Sequence, residues 1–150
     1  MGLEDLASFL RRHRRVALDT SIFVYHVQAN LRYLPATDQI FAWLEQQSSS
    51  AVTSSISMTE LLVQPIREGD EQLVGEFFFL LTRYPHLEWV PTTVPIAALA
   101  ARFRATYRFR TPDALQSATA VYSKATGLIT NDASFRRLTE VKVLVLDDLL

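Results

Sequence analysis

Four carboxylates fall where predicted strands end or predicted helices begin: Asp19, Glu60, Asp113 and Asp132. The carboxyl ends of parallel strands meet at one edge of a sheet, so these acids are expected to share that rim. Carboxylates in one pocket repel each other and some protonate unless cations neutralise them. The chemistry that this pattern indicates is hydrolysis of a phosphate ester, assisted by one or two divalent cations.

The remaining composition narrows the kind of metal. The chain of 150 residues has no cysteine and only three histidines, so a site in it offers little but oxygen, which suits Mg²⁺ or Mn²⁺. The lack of cysteine excludes a disulfide scaffold, a thiolate zinc site and a thiol nucleophile, and it suits the reducing cytoplasm in which we expect the protein. No apolar run approaches the roughly 20 residues that a membrane-spanning helix needs.

Each acid, taken alone, also has a purely structural interpretation. Ser57 and Glu60 fit a capping box at the start of a helix. Asp113 would complement a helix dipole, and Asp132 could occupy a turn or a helix cap. Asp19 could be a strand end that faces water. These alternatives do not explain why four acids from separate segments fall at one edge.

Short apolar strands alternate with helices along the chain. Strands are predicted over 16–18, 51–53, 88–90, 128–130 and 143–146. Helices are predicted over 3–13, 21–29, 37–47, 57–65, 70–82, 94–107, 112–126 and 132–138. Such alternation requires crossover connections, so the expected fold class is α/β, with a central, mainly parallel, twisted sheet and helices on both faces. The chain is interpreted as one domain, 1–150, in which 1–15 form a helical extension with a basic run.

Four motifs surround the acids in chain order: Leu18-Asp19-Thr20-Ser21-Ile22-Phe23, Ser57-x-Thr59-Glu60-Leu61-Leu62, Thr111-Pro112-Asp113-Ala114-Leu115-Gln116-Ser117-Ala118-Thr119-Ala120 and Leu128-Ile129-Thr130-Asn131-Asp132-x-x-Phe135. No single motif is specific. In this order, from Val16 onward, they closely resemble the PIN-domain ribonucleases, in particular the small VapC-type toxins of prokaryotic toxin–antitoxin pairs.

The resemblance implies a PIN-like fold and a Mg²⁺- or Mn²⁺-dependent endoribonuclease. It also implies a homodimer, and a cognate antitoxin whose tail enters the active-site groove. The family's catalytic, metal-binding acids would be Asp19, Glu60, Asp113 and Asp132, with Thr20 and Asn131 as supporting polar residues. Two features depart from the pattern. About fifteen residues precede the first acid, and Gln116 stands where some relatives carry a further acid, which would weaken a second metal site.

Arginine dominates the basic residues. Thirteen of the 15 cations are Arg, although the formal net charge is -1. We expect Arg108 and Arg110, with Arg104, to contact RNA phosphates just before the third acid. The interleaved aromatic residues Phe103, Tyr107 and Phe109 would offer stacking surfaces for unpaired bases. The alternative is a solvated helix face, with Phe103 and Tyr107 in the core.

The basic run from Arg11 to Arg15 is interpreted as a helix end that complements the dipole, with an RNA track or an antitoxin contact as alternatives. His26 lies on an apolar stretch and is expected to be a packed or surface residue rather than a general base.

One predicted helix is apolar around its circumference and includes Phe77, Phe78 and Phe79. Such a helix needs cover on its outer side, and we expect a homodimer or an antitoxin there, the alternative being burial within its own domain.

Other functions remain open: a stand-alone PIN nuclease that processes RNA, or a non-catalytic PIN-like module that binds RNA or protein. A haloacid-dehalogenase-like phosphatase is disfavoured because Ser21 stands where it needs a second aspartate.

Overall fold

Helices and strands alternate along residues 2–150, the part of the chain that the computed structural model describes. The strands are β1 (Arg15–Leu18), β2 (Ser50–Ser54), β3 (Leu87–Val90), β4 (Gly127–Thr130) and β5 (Lys142–Val145). The helices are α1 (Leu3–Arg12), α2 (Thr20–Val27), α3 (Leu34–Leu44), α4 (Ile56–Arg67), α5 (Glu71–Thr82), α6 (Val94–Tyr107) and α7 (Thr111–Tyr122). Two short 3₁₀ helices, Ala133–Arg137 and Leu146–Leu149, flank β5.

The five strands form one parallel sheet in the order β3-β2-β1-β4-β5. The central strand is β1, whose Ala17 lies opposite Val52 of β2 and Leu128 of β4. The α/β fold with a central parallel sheet is therefore confirmed. Because every strand runs the same way, the carboxyl ends of β1, β2 and β4 lie side by side at one edge.

Both faces of the sheet are covered. Successive side chains of a strand point to opposite faces, and on β1 Val16 and Leu18 join one buried cluster while Ala17 joins the other. The first cluster includes side chains of α1, α2 and α3, and the second includes side chains of α6 and α7. In the described part of the chain, no helix is long and apolar enough to cross a membrane.

Two helix starts differ from the sequence prediction. The helix predicted over 37–47 begins earlier, at Leu34, with Pro35 in its first turn, where a missing N–H costs nothing. The capping box is wrong: Ser55 is the N-cap of α4 and makes no side-chain cap, whereas Ser57 is a buried residue inside the helix.

Two helix ends also differ. Helix α4 runs past Pro65 to Arg67, because a proline lacks only its own N–H bond to the preceding turn and the residues after it keep theirs. Helix α7 stops at Tyr122 rather than near residue 126. Lys124 adopts a left-handed conformation with φ 65, and Gly127 is the first residue of β4 rather than a helix stop.

The extension helix α1 packs against the start of β4 at Gly127. A Cβ atom at Gly127 would stand 2.7 Å from Cζ of the buried Phe9 ring, far inside van der Waals contact. By contrast, a Cβ atom at Gly75, inside α5, would have no heavy atom within 4 Å.

These two glycines give a matched pair of stability predictions. We expect Gly127→Ala to lower the free energy of unfolding by about 1–3 kcal/mol, because the ring and α1 must shift. Gly75→Ala should raise it by about 0.5–1 kcal/mol, because alanine restricts the unfolded chain and suits a helix. Urea unfolding of both variants measures the difference, and equal stabilities would contradict this packing of α1.

Candidate active site

Two strand ends and two helices carry the four predicted acids to the same edge of the sheet. Asp19 follows β1 directly and Asp132 lies two residues after β4. Glu60 is on α4, the helix that follows β2, and Asp113 lies in the first turn of α7, which packs against β1 and β2. The expected placement at one rim is thus met by the fold.

Asp19 is a buried carboxylate, with only 7% of the residue exposed. Its Oδ1 accepts hydrogen bonds from the backbone N–H and the hydroxyl of Ser21, at 3.1 and 2.5 Å. Its Oδ2 accepts one from the Thr130 hydroxyl at 2.5 Å. Burial raises the pKa of Asp19 to about 6, against the lowering effect of these hydrogen bonds and with a small further rise from the charge of Asp132.

Asp113 is the second acid whose ionisation the site disfavours. Its side chain is 13% exposed and its Oδ2 lies 3.4 Å from Nε of Arg110. Burial raises the pKa of Asp113, the Arg110 charge opposes that rise, and the charges of Asp132 and Glu60 add to it. The acids from different elements therefore act on one another electrostatically, as a shared pocket requires.

Glu60 takes part in a hydrogen-bond chain rather than a helix cap. Its Oε1 accepts a hydrogen bond from the Thr20 hydroxyl at 2.6 Å. Behind this pair, Nε2 of Gln116 donates to the Ser57 hydroxyl at 2.6 Å, and Ser57 also contacts the Thr53 hydroxyl at 2.8 Å. The buried Gln116 thus places a neutral amide behind the acids.

Asn131 anchors the rim instead of facing outward. Its Nδ2 donates to the Tyr25 hydroxyl at 3.0 Å, and its Oδ1 accepts from the backbone N–H of Asp147 at 2.9 Å. Both ends of the amide are therefore occupied. Next to it, Asp132 caps the 3₁₀ helix, accepting a hydrogen bond from the N–H of Ser134 at 2.9 Å, so its structural interpretation also holds.

The four acids do not form a ready-made metal cluster. Among residues 2–150, no three acidic or histidine side chains stand close enough to hold a metal ion. Asp19, Glu60 and Asp113 each hydrogen-bond to another side chain instead. The donor set is nonetheless all oxygen, and its mutual repulsion is the condition that a hard divalent cation relieves. These residues fit such an ion by their chemistry, provided that Asp113 and Glu60 turn from Arg110 and Thr20.

The three arginines expected to contact RNA differ in the interactions that their side chains make. Arg110 has a side chain that is 78% exposed and pairs with Asp113. Arg108 is exposed and ends α6 in a left-handed conformation, φ 59 and ψ 34. Arg104 donates through Nε to the carbonyl of Phe109 at 3.1 Å, so it also holds the turn that presents the other two.

The interleaved aromatic residues belong to the core. Phe103 and Phe109 are 4% and 2% exposed, which excludes them as stacking surfaces for bases. Tyr107 is half-buried, and its hydroxyl donates to Glu140 at 2.5 Å. His26 is a packed residue as expected: its ring stacks on Phe41 at 4.1 Å, and burial lowers its pKa.

Sequence reasoning missed the hydroxyls that hold Asp19. Ser21 and Thr130 donate to its two oxygens, and the Thr130 hydroxyl in turn accepts from the backbone N–H of Asp132 at 2.9 Å. Both residues stand inside the motifs around Asp19 and Asp132. The available signal was Thr130, a polar residue at the end of the fully buried strand β4.

Comparison with known proteins places the fold. No curated protein sequence matches this chain. Among solved structures, VapBC2 from Rickettsia felis bound to a promoter DNA fragment is similar with a TM-score of 0.71 and 18% identity, over 87% of this chain and 98% of that chain. VapBC-1 from nontypeable Haemophilus influenzae gives a TM-score of 0.66 and 19% identity, over 89% and 98%. A toxin–antitoxin complex from Klebsiella pneumoniae gives 0.65 and 21%, over 87% and 97%.

The family is established by the sequence itself. A sequence model of the PIN domain matches residues 16–141, which leaves α1 outside the match and includes all four acids at the rim. The structural neighbours share the same architecture. The chain belongs to the PIN domain family of nucleases.

Proposed function

We propose that this protein is a Mg²⁺- or Mn²⁺-dependent endoribonuclease that hydrolyses RNA phosphodiester bonds. The observation that carries the proposal is the rim of four acids in a PIN fold, where Asp19 is buried, Asp113 is half-buried and the charge of Asp132 acts on both. A bound divalent cation would activate water as the nucleophile and stabilise the negative charge on the leaving oxygen. Asp19, Glu60, Asp113 and Asp132 are its proposed ligands.

The chain's own groups have distinct tasks in this proposal. Ser21 and Thr130 fix the orientation of the Asp19 carboxylate, and Thr20 does the same for Glu60. Arg110 alternates between partners: it pairs with Asp113 in the free enzyme, and a substrate phosphate takes over its guanidinium when the cation engages the acid. Arg108 extends this basic edge toward the RNA strand.

We further propose that the protein is the toxin of a toxin–antitoxin pair. The support is the similarity to the complexes from Rickettsia felis, Haemophilus influenzae and Klebsiella pneumoniae, all of which contain such pairs or are named for them. A protein of this kind is active when its antitoxin is absent, so the purified chain alone is the correct material for an activity assay.

A second copy of this chain is our proposed cover for the outer face of α5. Phe78, Phe79 and Leu80 are 52%, 59% and 47% exposed, whereas the third phenylalanine, Phe77, is half-buried. The guanidinium of Arg83 lies 4.1 Å from the Phe79 ring centre. Acidic residues lie toward the start of α5 and Arg83 at its end, so an antiparallel, two-fold pairing would place opposite charges together.

Cleavage of RNA tests the activity. We expect the purified chain with Mn²⁺ to cut mixed RNA internally, and Asp113→Asn to be slower by roughly 100-fold or more, a loss typical of removing one group that stabilises transition-state charge. Glu4→Gln, an exposed acid in the first turn of α1, is the control and should retain full activity. Equal cleavage or equal inertness of the parent and Asp113→Asn would overturn the proposal.

Salt dependence tests the basic edge. Replacing Arg108 and Arg110 with glutamine should weaken RNA binding and flatten the plot of log affinity against log salt, by roughly 0.7 for each phosphate that no longer pairs with an arginine. Arg67→Gln at the exposed end of α4 removes a charge elsewhere and serves as the reference. A double variant whose binding matches that reference at every salt concentration would contradict this role of the two arginines.

A further inference from the structure

A second basic site lies at the opposite edge of the sheet from the acids. It is a cavity of about 540 Å³ between α1, α3 and the loop before β2, within the size range of small-molecule sites. Its polar and aromatic lining is supplied by Arg11, Arg14, Gln39, Trp43, Gln46 and Ser49. Five residues at about 3.3 Å each separate Arg14 from Asp19, so the two sites are roughly 16 Å apart along β1.

The arginines of the basic run at residues 11–15 have two different environments. Arg15 is structural: its guanidinium pairs with Glu88 at 3.0 Å and donates to the Ser123 carbonyl at 2.7 Å. Arg11 and Arg14 are exposed and line the cavity. Neither guanidinium makes a hydrogen bond or ion pair with any residue in 2–150. Two arginines therefore line one cavity, and neither has a counter-ion within the described residues.

The rest of the lining also offers unused polar groups. Ser49 is 4% exposed, and its hydroxyl has no hydrogen-bond partner in the described chain. The indole N–H of the half-buried Trp43 is likewise unpaired within that range. No carboxylate lines the cavity, so an anion meets no repulsion there. These arginines, polar groups and the indole ring match a planar, anionic ligand that can form hydrogen bonds along its rim.

We propose that this cavity binds a phosphorylated nucleotide, with the phosphate on Arg11 and Arg14 and the base against Trp43. Guanidinium groups bind phosphate oxygens in a forked geometry, and bases stack on indole rings. The amides of Gln39 and Gln46 can hydrogen-bond to the edge of the base. Because α1 lies outside the segment that matches the family, half of the site is an addition to the PIN domain.

Calorimetry of the full-length chain with 5′-AMP tests the site directly. The buffer contains EDTA, so that no cation bridges the phosphate to the acidic rim and the result does not depend on the proposed nuclease. We expect one AMP per chain, and the double variant Arg11→Gln/Arg14→Gln should bind it roughly 10-fold or more weakly, because two charge-assisted hydrogen bonds are removed. Arg12→Gln/Arg67→Gln removes the same charge outside the cavity and should bind like the parent.

A tetraribonucleotide identifies the source of the nucleotide, and polyglutamate tests whether any polyanion binds. A tetraribonucleotide that binds more tightly than AMP, through the same two arginines, assigns the cavity to a segment of an RNA strand, whereas equal affinity assigns it to a free nucleotide. The proposal is overturned if AMP and the tetranucleotide both fail to bind, if both double variants lose affinity equally, or if polyglutamate binds more tightly than either nucleotide ligand.

Discussion

The buried carboxylate of Asp19 is the constraint on which the rest of this structure depends. It stands at the end of the central strand, almost without access to water, and burial moves its pKa to about 6. A folded protein gains nothing in stability from such a group, because a negative charge in this place is poorly solvated. The hydrogen bonds from Ser21 and Thr130 offset only part of the effect of burial on the carboxylate. A site of this kind suits a role in binding a cation.

The parallel sheet brings the other acids to this buried charge from separate parts of the chain. Strands β1 and β4 pair directly, so Asp132 lies near Asp19. Glu60 and Asp113 come from helices, where each has a local partner, Thr20 or Arg110. Binding of the proposed cation would require the side chains of Glu60 and Asp113 to leave these partners. This arrangement limits the repulsion between the carboxylates, but it leaves no preformed cluster of acids among the described residues.

The fold was predictable from the sequence because its signals are local. Apolar strands ending in polar residues predicted the parallel sheet and its rim, and Asp132 has both the position and the capping role expected of it. Tertiary packing determined what the sequence could not show. Ser57 has the spacing of a helix cap but is buried against Gln116, and Phe103 and Phe109 alternate with arginines but fill the core. The basic run looks uniform, yet only interactions with residues distant in sequence separate Arg15 from its neighbours.

Thermal unfolding at pH 8, with and without Mn²⁺, tests the central claim most directly. At this pH Asp19 is above its pKa of about 6 and ionised. Mn²⁺ bound only by the folded state must raise the unfolding temperature of the parent. Asp19→Asn, which removes the buried charge, should unfold at or above the parent's temperature without the ion and respond little to it. An equal rise for both proteins, or none for the parent, would contradict a cation site built on Asp19.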